Sequence, residues 1–213
     1  MRKTLFSGIA ACLLATAATA AEQSPSVIWT VGQADRSASE FALAPDRFRD
    51  FLANDFGYED KYFLVGHSVP AADFPYVLPG PADTWGGTWP TSGWRTHQVN
   101  ILFGLKEIPS DGTCTLVVDL LDYAKNFLPL VKVSVNTQDA KFQLDAPGLC
   151  VADQRKPNQM EKIVDTLSIT GNLAKATPRR LEIPIRPGVL KAGGNEVTIT
   201  VLEGSWILFD RVS

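Results

Sequence analysis

The chain has 213 residues, 45% of them hydrophobic and 20% charged, with a formal net charge of −3. That is enough for one domain with a sizeable core, or two small ones, and it excludes disorder over most of the length. A sequence pI near 5.4 argues against nucleic-acid binding through bulk charge.

The first residues read as an address. Arg2 and Lys3 precede a mostly apolar stretch, Leu5 to Ala18, and Ala18-Thr19-Ala20 is a small-x-small site before polar Glu22-Gln23-Ser24. This is the layout of a secretory signal peptide over residues 1–20, cut after Ala20. The apolar run is too short to span a bilayer, and no later segment reaches the ~18 apolar residues a span needs. No membrane association is expected after cleavage. Ile9-Ala10-Ala11-Cys12 resembles a lipidation box, but too little apolar sequence precedes it. The mature domain is then 21–213, periplasmic or extracellular. It keeps two cysteines, Cys114 and Cys150. In an oxidising compartment they could form a disulfide worth ~3–4 kcal/mol, or stand as two buried thiols.

The body reads as many short strands. Val27–Val31 is β-rich, and Asp46–Asn54 has Phe48, Phe51 and Leu52 at helical spacing. Lys61–Val65 looks like a strand. Residues 68–93 are rich in proline and glycine, without periodicity, and read as a long loop. Trp94–Leu105 alternates in its core, with Val99, Ile101 and Phe103 on one side. Thr113–Leu121 is near-continuously apolar, as in a strand covered on both faces. The period of two continues through Val131/Val133/Val135, Phe142/Leu144, Leu167/Ile169, Leu181/Ile183/Ile185, Val197/Ile199/Val201 and Ile207/Phe209. Gly193-Gly194 suggests a turn before a strand over 195–202, and Glu203-Gly204 a tight link to the last strand. The pattern predicts an all-β antiparallel sandwich, a jelly roll with one short helix and a long aromatic loop.

No familiar catalytic motif appears: no GxSxG, Walker loop, GxGxxG or HExxH. The two histidines, His67 and His97, lack zinc spacing. The aromatics are distributed unevenly. Half of the twenty Phe, Trp and Tyr residues fall between Phe56 and Phe103. Trp85, Trp89 and Trp94 sit among Gly, Pro and Thr, outside any alternating pattern. Loop tryptophans either rigidify a loop by packing or offer a plane on which a sugar ring stacks. Arg95 and His97 would share a strand face by the period of two, and a cation with an imidazole near a Trp suits an acidic sugar. Tyr76, Asp83, Trp85, Trp89, Trp94, Arg95 and His97 are therefore the candidate ligand-binding residues. Asp210, within the last strand pattern, could hold a structural calcium with loop carbonyls, or be an ordinary surface acid. No other cofactor is indicated.

Trp29-Thr30-Val31-Gly32-Gln33-Ala34-Asp35 followed by Glu40-Phe41 resembles the opening strand of the C-terminal galactose-binding-like, carbohydrate-binding-module-like domain of rhamnogalacturonan lyases. The closing strands RLEIPI, GNEVTI and GSWILFD are similar to those of the same domain. The stretch from Asp73 to Leu105 resembles the version found in bacterial polysaccharide lyase proteins. The resemblance spans nearly all of 27–213 and implies a jelly roll that contacts carbohydrate beside a catalytic domain. The lyases carry catalysis on a separate domain for which 213 residues leave no room.

The leading expectation is thus a secreted, non-catalytic module for pectic or other uronic-acid-containing polysaccharide. One alternative is a polysaccharide lyase or hydrolase, or a fragment of one, using Tyr76, Arg95 and His97 as base and charge neutraliser. Another is a structural module that docks a catalytic partner protein through an apolar patch.

Overall fold

A computed structural model describes residues 26–43, 61–83, 98–109, 113–145 and 176–213. The strands are β1 (Val31–Gly32), β2 (Lys61–Leu64), β3 (Val77–Leu78), β4 (Gln98–Leu105), β5 (Thr115–Tyr123), β6 (Leu130–Val135), β7 (Gln138–Gln143), β8 (Arg179–Pro184), β9 (Gly193–Glu203) and β10 (Ile207–Val212). One helical turn, α1 (Pro70–Asp73), precedes β3.

The strands form two five-stranded sheets. The first runs β1-β10-β5-β8, with β3 also paired to β10; the second runs β2-β4-β9-β6-β7. The pairs are antiparallel except β2 with β4, which is parallel, from Lys61 opposite Val99 to Leu64 opposite Leu102. The sequence pattern predicts an all-β sandwich, as found, but a wholly antiparallel one. Hydrophobic alternation does not distinguish the two pairing senses for a four-residue strand.

Alternation sends one row of each strand inward. In the second sheet the buried row is Val99, Ile101 and Phe103 on β4, Val197, Ile199 and Val201 on β9, and Val131, Val133 and Val135 on β6. The first sheet answers with Leu116, Val118 and Leu120 on β5, Leu181 and Ile183 on β8, and Phe209 and Val212 on β10. Phe74 sits where the layers meet. Its ring centroid lies 5.3 Å from Phe41, 5.7 Å from Phe63 and 5.1 Å from Phe209, the last two edge-on. Edge-to-face contacts add to the burial of these large rings.

Two polar residues fix the margins of the sandwich. Gln138, buried at the start of β7, donates from Nε2 to the Pro184 carbonyl at 2.8 Å and accepts the Arg186 amide at 2.9 Å. It ties the edge of one sheet to the end of β8 in the other. Asn136, at φ 49°, turns the β6–β7 hairpin; its side-chain amide donates to the Val189 carbonyl and to Asn195 Oδ1.

Three local expectations change. Val27–Val31 does not form a full strand: pairing begins at Val31, and Val27 and Ile28 are exposed. A β-prone composition stabilises a strand only where a partner edge is free. Gly193 and Gly194 lie inside β9, opposite Leu105 and Gly104, and the turn falls earlier, around Gly188. Within residues 68–93, whose composition reads as loop, α1 and β3 form. The helix expected over Asp46–Asn54 and the strand around Leu167/Ile169 lie outside the described residues.

Candidate functional site

Strand direction brings several chain segments to one end of the sandwich. β9 finishes there at Glu203 and β10 begins at Ile207, opposite the last residue of β5, Tyr123. β4 starts there at Gln98, opposite Thr200. Asp83 meets the β9–β10 turn at the same end: Ser205 Oγ donates to Asp83 Oδ1, and the Ala82 amide donates to the Gly204 carbonyl at 2.9 Å. The flanks of residues 146–175 meet here as well. The Asp145 carbonyl accepts from the Tyr123 hydroxyl, and the Thr177 amide donates to Asp122 Oδ1 at 3.0 Å.

The anchor at Asp83 is built from buried groups. Its carboxylate, only 6% exposed, also accepts the Gly80 amide at 2.8 Å. Glycine is required at both contacting turns. A Cβ on Gly80 would meet the Gly204 carbonyl oxygen at 2.5 Å, and Gly204 itself has φ 80°. The sequence reading makes Asp83 a ligand contact. In the structure its oxygens are instead engaged with the protein, and it fixes the root of the aromatic-rich segment. A buried carboxylate that satisfies amide and hydroxyl donors is strongly held in place.

Tyr76 also needs correction as a ligand-facing residue. Its side chain is 1% exposed, in the core, and burial pushes its phenol well above the ordinary tyrosine range. A phenol held protonated and away from solvent is unsuited to the base role that a Tyr76-dependent elimination would need. Trp85, Trp89, Trp94, Arg95 and His97 lie outside the described residues.

Further side chains outside the sequence expectation sit on the segments that meet at this end. Phe127, on the β5–β6 connection, is 48% exposed. Its carbonyl accepts the Ser205 amide at 2.9 Å, so its backbone belongs to the same rigid turn. Lys125 places its ammonium 4.5 Å from the centre of the Tyr123 ring, donates to the Tyr123 carbonyl at 2.8 Å and pairs with Asp122. Arg179 donates to the Asp145 carbonyl at 3.3 Å, the oxygen that the Tyr123 hydroxyl also reaches. In sequence, Phe127 is a lone aromatic before Leu128-Pro129; its only signal is an apolar ring in a turn-like stretch.

Asp210 lies away from this end and is not a plain surface acid. The β5–β10 register shifts between Phe209 and Arg211, so Asp210 has no partner on β5 and breaks the alternation that would place it beside Leu208. It is buried and accepts the Arg36 amide at 2.9 Å, holding the loop after β1. Gly32, at φ 80°, opens that loop, and a Cβ there would meet the Phe41 ring at 2.4 Å and the Asp210 carbonyl at 2.6 Å. Among the described residues no three His, Cys, Asp or Glu side chains gather as a metal-binding group.

Burial raises the Asp210 carboxyl above the usual range, and Asp35 and Asp119 push the same way against the Arg36 and Ser37 amides. The folded state therefore binds this proton more tightly than the unfolded chain. The stability it contributes is complete below the ordinary carboxylate value of about 4 and is lost as pH rises through the folded value. Asp210→Asn keeps an oxygen for the Arg36 amide and removes the buried charge. We expect its urea midpoint at neutral pH to equal or exceed that of the parent, and the gap to close or reverse as pH falls toward about 4. A large loss at neutral pH would show that the loop depends on the charge.

Cys114 is half-buried against the core and carries a free thiol; Cys150 lies outside the described residues. No helix among the described residues is long and apolar enough to cross a membrane.

Comparison with known proteins adds the last element. The family model described as the CBM-like domain, polysaccharide lyase family 4 domain III, matches residues 27–213. No curated protein matches the chain. The matched span covers every described strand, from the Val31–Gly32 opening to the closing β10. The chain belongs to the CBM-like domain III family of polysaccharide lyase family 4, an accessory carbohydrate-binding-like β-sandwich.

Proposed function

We propose that the chain is a secreted, non-catalytic module that binds pectic or other uronic-acid-containing polysaccharide beside a separate catalytic protein. The family match over 27–213 carries the reading. The described residues Asp83, Gln98, Asp145 and Thr177, which lie at one end of the sandwich, support a site there. Secretion rests on the basic, apolar and small-residue pattern of residues 1–20. The tryptophans at 85, 89 and 94 supply planar faces for sugar rings, and Arg95 with His97 supplies donors for a uronate carboxylate. A site with one or two stacked rings binds weakly, at roughly micromolar to millimolar Kd.

The test is retention of the mature protein on a polysaccharide panel of rhamnogalacturonan, homogalacturonan and neutral glucans. The expected result is retention by an acidic pectic glycan, with Trp89→Ala weakening it about tenfold, or roughly 1.4 kcal/mol. Unsaturated product absorbing in the ultraviolet would replace the binding reading with a lyase. Retention by none of the glycans would end the proposal.

A further inference from the structure

The outer face of the first sheet carries two arginines that share one acid. Arg180 on β8, Asp119 on β5 and Arg211 on β10 are paired in register, so the three side chains form a row across neighbouring strands. Leu116, Val118 and Leu120 of β5 point into the core, which puts Asp119 and its partners on the opposite face. Asp119 is buried beneath the two guanidiniums and accepts from both. Arg180 donates from Nε to Oδ1 at 2.7 Å and from Nη2 to Oδ2 at 3.3 Å. Arg211 donates from Nε and Nη2 to Oδ2, at 3.0 Å and 2.8 Å.

Both arginines therefore commit the same edge, Nε with Nη2, to Asp119. The Nη1 group of each, and with it the outer edge of each fork, has no partner among the described residues. The side chains are 52% exposed for Arg180 and 28% for Arg211, so these edges are open to solvent. Charge points the same way. One carboxylate balances one guanidinium, and the second leaves a surplus positive charge on the row. Glu182, two residues along β8 on the same face, is exposed and makes no ion pair with either arginine among the described residues. A planar pair of donors matches the two oxygens of a carboxylate, and a guanidinium already held along one edge has less freedom to lose on binding.

We propose that Arg180 and Arg211 form a site for the carboxylate of a uronic-acid residue: the free guanidinium edges bind the carboxylate, and Asp119 holds them in place. The site rests on the carbohydrate-binding reading above and gives it a preference for acidic sugars built on the sheet itself. The row holds ionic donors and no aromatic plane, so it selects charge in place of ring shape.

The test is retention of the mature protein on homogalacturonan in two forms, one with free carboxylates and one methyl-esterified, which differ in charge and share a backbone. Arg180→Gln is expected to weaken retention on the free-carboxylate form about fivefold and to leave the esterified form unchanged. Arg180→Lys keeps the charge without the fork and is expected to lose nearly as much. Lys132→Gln removes the same charge from the second sheet, where Lys132 pairs with Asp139, and is expected to change nothing. Urea midpoints equal to that of the parent establish that each variant is folded. Free galacturonate is expected to displace the protein at a lower concentration than inorganic phosphate does. Parent-like retention of Arg180→Gln or Arg180→Lys, an equal loss in Lys132→Gln, or earlier displacement by phosphate would each overturn the site. If that occurs while Trp89→Ala is weakened, the binding function stands without it. If the parent protein itself is retained by no glycan, function and site fall together.

Discussion

Gly204→Ala is expected to destabilise the domain by about 3 kcal/mol or more, the larger end of single-residue effects. Two costs add. At φ 80° an alanine incurs roughly 1–2 kcal/mol for the left-handed conformation. Its Cβ would also stand 2.3 Å from the Leu128 carbonyl oxygen and 2.6 Å from the Leu128 carbonyl carbon. Those atoms are backbone, so they cannot rotate away. The β9–β10 turn must separate from the β5–β6 connection, breaking the Ser205 amide bond to Phe127. Urea unfolding of the variant measures the loss. A change under about 1 kcal/mol would mean that the two turns move independently. The same displacement should disturb the Asp83 anchor, because the Ala82 amide bonds to the Gly204 carbonyl.

Phe74→Ala should cost about 3–5 kcal/mol, the range for emptying a buried phenylalanine site. Phe74 is fully buried and touches rings from three other parts of the chain: Phe41 after β1, Phe63 on β2 and Phe209 on β10. Those partners sit on rigid strands or fixed loops, so the cavity would collapse only partly. For a domain of this size the melting temperature should fall by roughly 6–20 °C. A fall of a degree or two would show that the layers close over the gap.

The strands are legible where burial on one face forces alternation. Val131/Val133/Val135 and Val197/Ile199/Val201 appear in the structure as the inward rows of neighbouring antiparallel strands. Thr115–Tyr123, whose apolar run reads as covered on both faces, is buried along almost its whole length. Legibility fails where a contact distant in sequence decides the outcome. Nothing near Lys61 indicates a parallel partner at Val99. The bulge at Asp210 arises from the β5–β10 register, so counting by twos along β10 misplaces that residue. Gly193-Gly194 has the composition of a turn, yet the long β4–β9 ladder carries both residues as strand.

The site is legible in composition more than in geometry. Trp85, Trp89, Trp94, Arg95 and His97 lie outside the described residues, whereas Tyr76 is buried in the core and Asp83 bonds to Gly80 and Ser205. A buried tyrosine and an exposed one look alike in sequence. An aspartate that seals a turn differs from a ligand contact only through its partners, here Gly80 and Ser205, the latter distant in sequence. Phe127 escapes notice for the opposite reason: its exposure comes from how the β5–β6 connection folds around Gly204.

The parallel pairing of β2 and β4 has a consequence for how the chain is routed. A parallel pair obliges the chain to travel back along the sandwich before the second strand begins. Here that journey is complete by Asp83. Residues 65–83 make it through α1 and β3, and Asp83 and Gln98 both stand at the end where β4 begins. The return is thus made by residues 65–83 alone, and the buried Asp83 carboxylate, bound to the Gly80 amide and the Ser205 hydroxyl, clasps its last residue to the β9–β10 turn like a latch.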